Sequence, residues 1–246
     1  MSLLELSNIT KSFGAIHALQ GVDLRIAPGE AVGLMGDNGA GKSTLVKIIA
    51  GNFPPTSGQV KVEDREVHFH KPLDARKAGI EVVYQDLALA DNLTAAENVF
   101  LGRELRKGWG PFATLDKQAM IERSSELFEE LKSETRPRDL VQKMSGGQRQ
   151  AVAIARTRLS DPKLVIMDEP TAAISVRQVA EVLNLIKRLK ATGHAVILIS
   201  HRMPDVFEVC DRIAVLRRGT KVADKATAET SPEEITGLIT GAIDAA

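Results

Sequence analysis

Gly36-Asp37-Asn38-Gly39-Ala40-Gly41-Lys42-Ser43 lies between a short apolar run, Ala31 to Met35, and a helical stretch, Ser43 to Ala50. The spacing is Gly-x-x-x-x-Gly-Lys-Ser, and Thr44 follows it. Glycines at these places let backbone N–H groups curl around phosphate oxygens, and the N-terminus of the next helix adds partial positive charge. Lys42 can reach the β- and γ-phosphates, and the Ser43 hydroxyl can hold Mg²⁺. The rival reading is a glycine-rich strand-to-helix turn without a ligand. A complete motif in strand–loop–helix context favours a nucleoside triphosphate.

Downstream, Leu164-Val165-Ile166-Met167 is an apolar run that ends in Asp168-Glu169. A buried strand delivers Asp168 at its C-terminal end, where open α/β sheets bind ligands. There it is suited to hold Mg²⁺ as a Walker-B aspartate, with Glu169 set to polarise a water for attack on the γ-phosphate. Met144-Ser145-Gly146-Gly147-Gln148 opens a helix. Ser145 suits its N-cap, and the glycines expose N–H groups that fit a phosphate. Gln85, just past the strand Ile80–Tyr84, and His201, just past the strand Ala195–Ile199, are expected at the same sheet edge as Asp168. Taken singly, each residue is more often an ordinary loop polar group.

The chain opens with half-buried strands, Leu4-Glu5-Leu6 and Val22-Asp23-Leu24-Arg25-Ile26. Pro28-Gly29-Glu30 is a turn, and Pro54-Pro55-Thr56-Ser57-Gly58 ends the first helical unit. Gln59–Val62 and Val67–Phe69 read as further short strands. From about Asp86 to Lys143 the texture becomes mostly helical, with Leu115–Lys132 the longest candidate and Gly108-Trp109-Gly110-Pro111 a loop. This predicts a helical subdomain, about 86–143, inserted into a core of 1–85 and 144–246. Helix Gly147–Leu159 follows. A later helix carries Val176, Val179, Leu183 and Ile186 on one face. Strands alternating with helices predict a mainly parallel sheet covered on both faces, after an antiparallel N-terminal portion. There is no internal repeat and no low-complexity segment.

The 246 residues suffice for one large α/β domain, or a core with a smaller subdomain. Lys+Arg and Asp+Glu are both 32, so no net attraction to nucleic acid or anionic lipid is expected. The lone Cys210 cannot make an internal disulfide and, in its amphipathic stretch, reads as a buried small hydrophobe. No apolar run approaches the roughly 20 residues of a membrane span. The first ten residues lack a secretory pattern. The expected location is the cytosol, or a membrane surface through a partner.

Taken in order, the phosphate loop, Gln85, Ser145-Gly146-Gly147-Gln148, Asp168-Glu169 and His201 resemble the ATP-binding cassette (ABC) family over nearly the whole chain. Lys11-Ser12-Phe13-Gly14, the phosphate loop through Leu45, Val83-Tyr84-Gln85-Asp86-Leu87 and the stretch Asn92 to Glu104 are similar to the bacterial branch that imports ribose, xylose or fructose. The resemblance implies a P-loop NTPase fold of ABC type. It implies that Gly36, Asn38, Gly39, Ala40, Gly41, Lys42, Ser43 and Thr44 bind ATP, with Phe13 stacked on adenine. Without the family, Phe13 reads equally as a core or surface phenylalanine. Ser145, Gly147 and Gln148 would contact ATP held by the opposite subunit. Ser43, Gln85 and Asp168 would hold Mg²⁺, and Glu169, His201, Gln85 and Lys42 would form the catalytic set. Met144 replaces the usual leucine of the signature, a volume-conserving change. In Ala172-Ala173-Ile174-Ser175, Ser175 stands where most members carry aspartate, which puts tight coupling between the two sites in doubt.

The same resemblance implies two copies, or one copy and a second cassette subunit, closing head-to-tail around two ATP molecules. Transmembrane permease subunits would be the mechanical partner, with a periplasmic or extracellular sugar-binding protein and a peripheral location on the cytoplasmic face of the inner membrane. A ribosome- or DNA-directed ATPase is the alternative. It fits less well, since this chain has neither a second cassette nor a long coiled-coil insertion, and its zero net charge offers no grip on a phosphate backbone. A nucleotide sensor without hydrolysis is disfavoured by intact Lys42, Asp168 and Glu169. Trp109 is left open, as an exposed loop aromatic or a small packing anchor.

Overall fold

The computed structural model describes residues 2–172 and 174–243; Ala173, within the Ala172–Ser175 motif, lies outside the described residues. In chain order the first half holds β1 (Leu4–Phe13), β2 (Ile16–Ile26), β3 (Ala31–Met35), α1 (Lys42–Ile49), β4 (Ser57–Val62), β5 (Arg65–Glu66), α2 (Pro72–Lys77), β6 (Ile80–Val83), α3 (Ala95–Val99), β7 (Arg106–Lys107), β8 (Thr114–Leu115) and α4 (Lys117–Glu130). The second half holds α5 (Gly146–Arg158), β9 (Leu164–Asp168), α6 (Val176–Ala191), β10 (Ala195–Ile199), α7 (Met203–Val209), β11 (Arg212–Arg217), β12 (Thr220–Ala226) and α8 (Pro232–Thr240).

The described chain divides into two compact units, Met1–Val82 with Pro162–Glu169 and Leu189–Ala246, and Val83–Asp161 with Pro170–Arg188. The first unit is built on two sheets. In one, β1 lies between β2 and β4, antiparallel to both, with Leu4 opposite Ile26 and Val62. In the other, the order is β12-β11-β3-β10-β9-β6. Strands β11, β3, β10 and β9 run parallel, and β12 is antiparallel on the edge. Strands β3 and β10 are buried at every position, as continuous apolar runs covered on both faces must be. Leu45, Val46, Ile48 and Ile49 of α1 join Leu6, Leu24, Leu34 and Ile197 in one core. A single apolar cluster therefore anchors α1 against residues of both sheets.

One expected strand is absent for an identifiable reason. Val67–Phe69 is not a strand; β5 is Arg65–Glu66. Val62 pairs with Arg65 across Glu63-Asp64, both at positive φ, which is the geometry of a tight two-residue hairpin. The ladder stops at Lys61–Glu66, one further bond runs from Val67 N to Val60 O at 2.9 Å, and Phe69 then turns into the core.

The second unit holds α3, α4, α5 and most of α6, so it takes in α5 and residues 170–188 besides the segment 86–143. That segment is less helical than its texture suggests. Only α3, of 5 residues, and α4, of 14, are α-helices there. The Asp116 side chain accepts from Ala119 N and caps α4, so Leu115 falls outside the helix and pairs with Arg106 in a small hairpin. The longest helix is instead α6, of 16 residues. Its expected apolar face is buried at Val179, Leu183 and Ile186, whereas Val176 in the first turn is 83% exposed. Buried Asn98 ties the segment down: its Nδ2 donates to Ala90 O and Thr94 O, and its Oδ1 accepts from Ala90 N. Among the described residues no helix is long and apolar enough to cross a membrane.

Candidate active site

The phosphate loop follows β3, whose burial fixes the direction in which the chain leaves the sheet. Gly36 has φ 148°, and a Cβ there would lie 2.2 Å from Leu216 O. Gly41 has φ 105°, and its Cβ would lie 2.8 Å from Ala18 O. Both positions accept only glycine, for conformation and for space. Behind the loop, Gly219 N donates to Ala40 O at 3.0 Å, and Gln20 Nε2 to Arg218 O at 2.8 Å. The turn Arg218-Gly219 thus braces the loop from the rear. The N-terminus of α1 has no side-chain cap and no acidic residue in its first turn, so its positive end is not neutralised locally.

Lys42 folds back over the loop, its Nζ donating to Gly36 O at 2.6 Å and to Asp37 O at 3.0 Å. Burial lowers its pKa, against the opposing pull of Glu169, Asp37 and Asp168. A half-buried ammonium on a glycine-rich loop at a helix N-terminus is electrostatically suited to an anion.

Strand register sets the carboxylates. Asp168 pairs with Ile199, and Ile199 with Leu34, so three parallel strands end level with one another beside the loop. Burial first, then the Glu169 charge, raises the Asp168 pKa; Lys42 and Lys47 oppose this. Glu169 adopts a left-handed backbone, φ 50°, rare for a non-glycine residue and concentrated at functional sites. Its N donates to Ile199 O at 2.9 Å. Its Oε2 accepts from His201 Nδ1–H at 2.8 Å and from His201 N at 3.4 Å. Glu169 is nearly buried, with its side chain 16% exposed, while that of His201 is 72% exposed. The first unit therefore gathers Lys42, Asp168, Glu169 and His201 around the loop.

Phe13 ends β1 and is half exposed. Its ring meets Phe53 edge to face, centroids 5.5 Å apart, and Lys11 Nζ lies 5.3 Å from the Phe13 centroid and 4.7 Å from that of Phe53. Neither Phe53 nor Lys11 could be singled out from spacing, because the contact joins the end of β1 to the distant turn that follows α1.

Gln85 and the Ser145–Gln148 stretch belong to the second unit. Gln85 is exposed, in a turn just past β6. Ser145 caps α5 in a reciprocal box: Gln148 N donates to Ser145 Oγ at 3.3 Å, and Ser145 N to Gln148 Oε1 at 3.0 Å. Ser175 and Gln178 form the same box at the start of α6, at 3.4 and 2.9 Å. Both boxes border one cavity of about 460 Å³, lined also by Gly147 and Arg177. The second box is legible in the sequence as Ser175-x-x-Gln178 before an apolar stripe.

Residues 19–172 match the family model described as ABC transporter. The chain is 46% identical to the xylose/arabinose import ATP-binding protein of Sulfolobus acidocaldarius, over 97% of this chain and 94% of that protein. The chain belongs to the ABC transporter family. It is an ATP-binding cassette with the ATPase activity that goes with that family. It is also 43% identical to the ribose import ATP-binding protein of Yersinia pestis, over 97% of the cassette but only 46% of that relative, so the chain spans about half its length. Among solved structures, a nucleotide-free ATP-binding cassette from an ABC transporter superposes with TM-score 0.81 at 28% identity, covering 98% of this chain and 96% of the other. A dimeric cassette bound to ADP and Pi in a post-hydrolysis state gives 0.74 at 28%, covering 91% and 98%. The mixed, mostly parallel sheet with antiparallel N-terminal strands is thus the cassette fold expected from the motifs.

Proposed function

We propose that this cassette is the ATP-hydrolysing subunit that powers uptake of a monosaccharide through transmembrane partner subunits. One observation carries the chemistry: an activated constellation of Lys42, Asp168, Glu169 and His201 around an uncapped helix N-terminus and a glycine cradle. The class of cargo rests on similarity, over almost the full chain, to a xylose/arabinose import protein.

In this reading Gly36 to Thr44 hold the phosphates, with Asn38 and Ala40 supplying further backbone contacts and Phe13 meeting the base. The donor set suits Mg²⁺: the Ser43 hydroxyl and the Asp168 carboxylate are hard oxygen ligands. When bound, that ion would neutralise charge on the phosphates. Glu169 Oε2 is engaged by His201 Nδ1–H, which leaves Oε1 to take the proton from the attacking water as its oxygen bonds to the γ-phosphorus. The bond to the bridging oxygen then breaks, and ADP and phosphate separate. His201 fixes the Glu169 carboxylate and contacts the γ-phosphate.

Ser145, Gly147 and Gln148 of a second copy would complete each nucleotide site. A nucleotide held from both sides favours the closed pair by differential binding, and its loss reopens it. A solved cassette of 28% identity that is dimeric with ADP and Pi bound supports the pairing of two copies. Residues 86–143 would then pass the motion to a permease, with a sugar-binding protein delivering cargo and the cassette peripheral on the cytoplasmic face of the membrane. The test is uptake of labelled ribose, xylose, arabinose and fructose by cells with and without the gene. Loss of uptake of one of them, restored by the intact gene but not by Glu169→Gln, is expected. Unchanged uptake of all four contradicts the assignment of cargo.

A further inference from the structure

Strands β7 and β8 form a small hairpin within the second unit, pairing Arg106 with Leu115 and Lys107 with Thr114. Asp116 N donates to Leu105 O at 2.8 Å and closes its base; Ala113 N donates to Gly110 O at 3.2 Å and tightens its tip. The tip carries Trp109, 92% exposed, and Phe112, 86% exposed. Both are large apolar groups held out in water by a defined turn. Beside them, Lys107 forms no ion pair among the described residues, and Arg106 is near enough to the exposed Glu104 for its charge to act on that carboxyl. Glu104 is itself turned back, accepting from Gly102 N at 2.9 Å.

We propose that this hairpin tip seats in the headgroup layer of an anionic bilayer. Tryptophan and phenylalanine favour the boundary between apolar chains and headgroups, and adjacent cations gain from lipid phosphates. The whole chain has zero formal net charge, so attraction to an anionic surface has to be local, and Arg106-Lys107 supplies it next to the aromatics. The tip leaves both rings almost fully exposed, and the same hairpin carries Arg106 and Lys107 beside them in sequence. A headgroup layer answers both features at once, without a shaped receptor. Two rings and two charges give weak, reversible attachment, enough to orient a cassette already held by membrane partners. The inference does not depend on which solute is carried.

Trp109 is the sole tryptophan of the chain, so its emission reports directly on the tip. The intact protein would be titrated with vesicles of phosphatidylglycerol and phosphatidylcholine, and with phosphatidylcholine alone. A blue shift with the anionic vesicles, quenched by lipids brominated near the headgroup and reversed by salt, is expected. Arg106→Gln with Lys107→Gln should weaken partitioning about thirtyfold, two charges at about 1 kcal/mol each. Phe112→Ala should weaken it too, while ATP turnover in solution stays unchanged for both variants. No shift on anionic vesicles, or an equal shift on neutral ones, overturns the proposal. So does a shift that grows with protein concentration without lipid, which would mark the tip as a contact between copies.

Discussion

His201 Nδ1–H donates to Glu169 Oε2 at 2.8 Å, joining residues 32 apart in sequence at the ends of neighbouring strands. The bond places a proton on Nδ1 and holds a carboxylate whose own backbone is in a rare conformation. His201→Ala should therefore lower kcat on the order of a hundredfold or more, with little change in ATP affinity. Steady-state phosphate release, with KM and kcat separated, checks this; an unchanged kcat would remove His201 from the mechanism.

Lys42 spends its Nζ donors on two loop carbonyls, and burial disfavours its charge, so anionic phosphate is the better partner. Lys42→Ala should weaken ATP binding by about ten- to a hundredfold, as expected for a charge-assisted hydrogen bond worth about 1.5–3 kcal/mol. Calorimetric titration measures it, and the circular dichroism spectrum should not change.

Glu97 closes the capping box of α3, accepting from Thr94 N at 3.0 Å and Thr94 Oγ1 at 2.9 Å. Those bonds, the backbone one first, hold its carboxyl below the ordinary 4.5, against partial burial. A depressed acid contributes stability that is full above 4.5 and is lost as pH falls through the folded value. Glu97→Gln should cost about 1 kcal/mol at pH 7, and its difference from the parent should narrow below pH 4.5. Urea unfolding across this range tests the trend; a gap that is constant with pH would contradict it.

Cys210 is 6% exposed, and burial pushes its thiol up to about 12. As the single cysteine it makes a clean probe. Ellman's reagent should leave it untouched at pH 8 in the native protein and modify it fully in denaturant. Rapid native labelling would mean that α7 opens readily from β3, where Gly33 lies against the Cys210 sulfur.

What could be read from the residues depended on how local the cause was. The phosphate loop, the Asp168-Glu169 strand end and the Ser145 cap each sit within one strand–loop–helix segment, and period and spacing reveal them. The left-handed backbone of Glu169 and its bond to His201 depend on β9 lying beside β10, and no short window contains both. The Phe13–Phe53–Lys11 cluster and the brace from Gly219 to Ala40 are long-range in the same sense. The segment 86–143 misled because Asp116, an effective cap, starts α4 late and frees Leu115 to pair with Arg106. β12 and α8, beyond the turn at Arg218-Gly219, leave little trace in the sequence pattern. Their apolar positions are few, and their order comes from pairing with β11 and from the Ser231 cap, which accepts from Glu234 N at 3.2 Å.

The central claim is that two cassettes close on ATP and reopen when Glu169 directs its hydrolysis. Sedimentation velocity of the Glu169→Gln protein, with and without ATP, tests it most directly. The account predicts monomer without nucleotide, a stable dimer with ATP, and return to monomer when ADP replaces it. A variant that stays monomeric at saturating ATP, with nucleotide binding verified in the same sample, would contradict it.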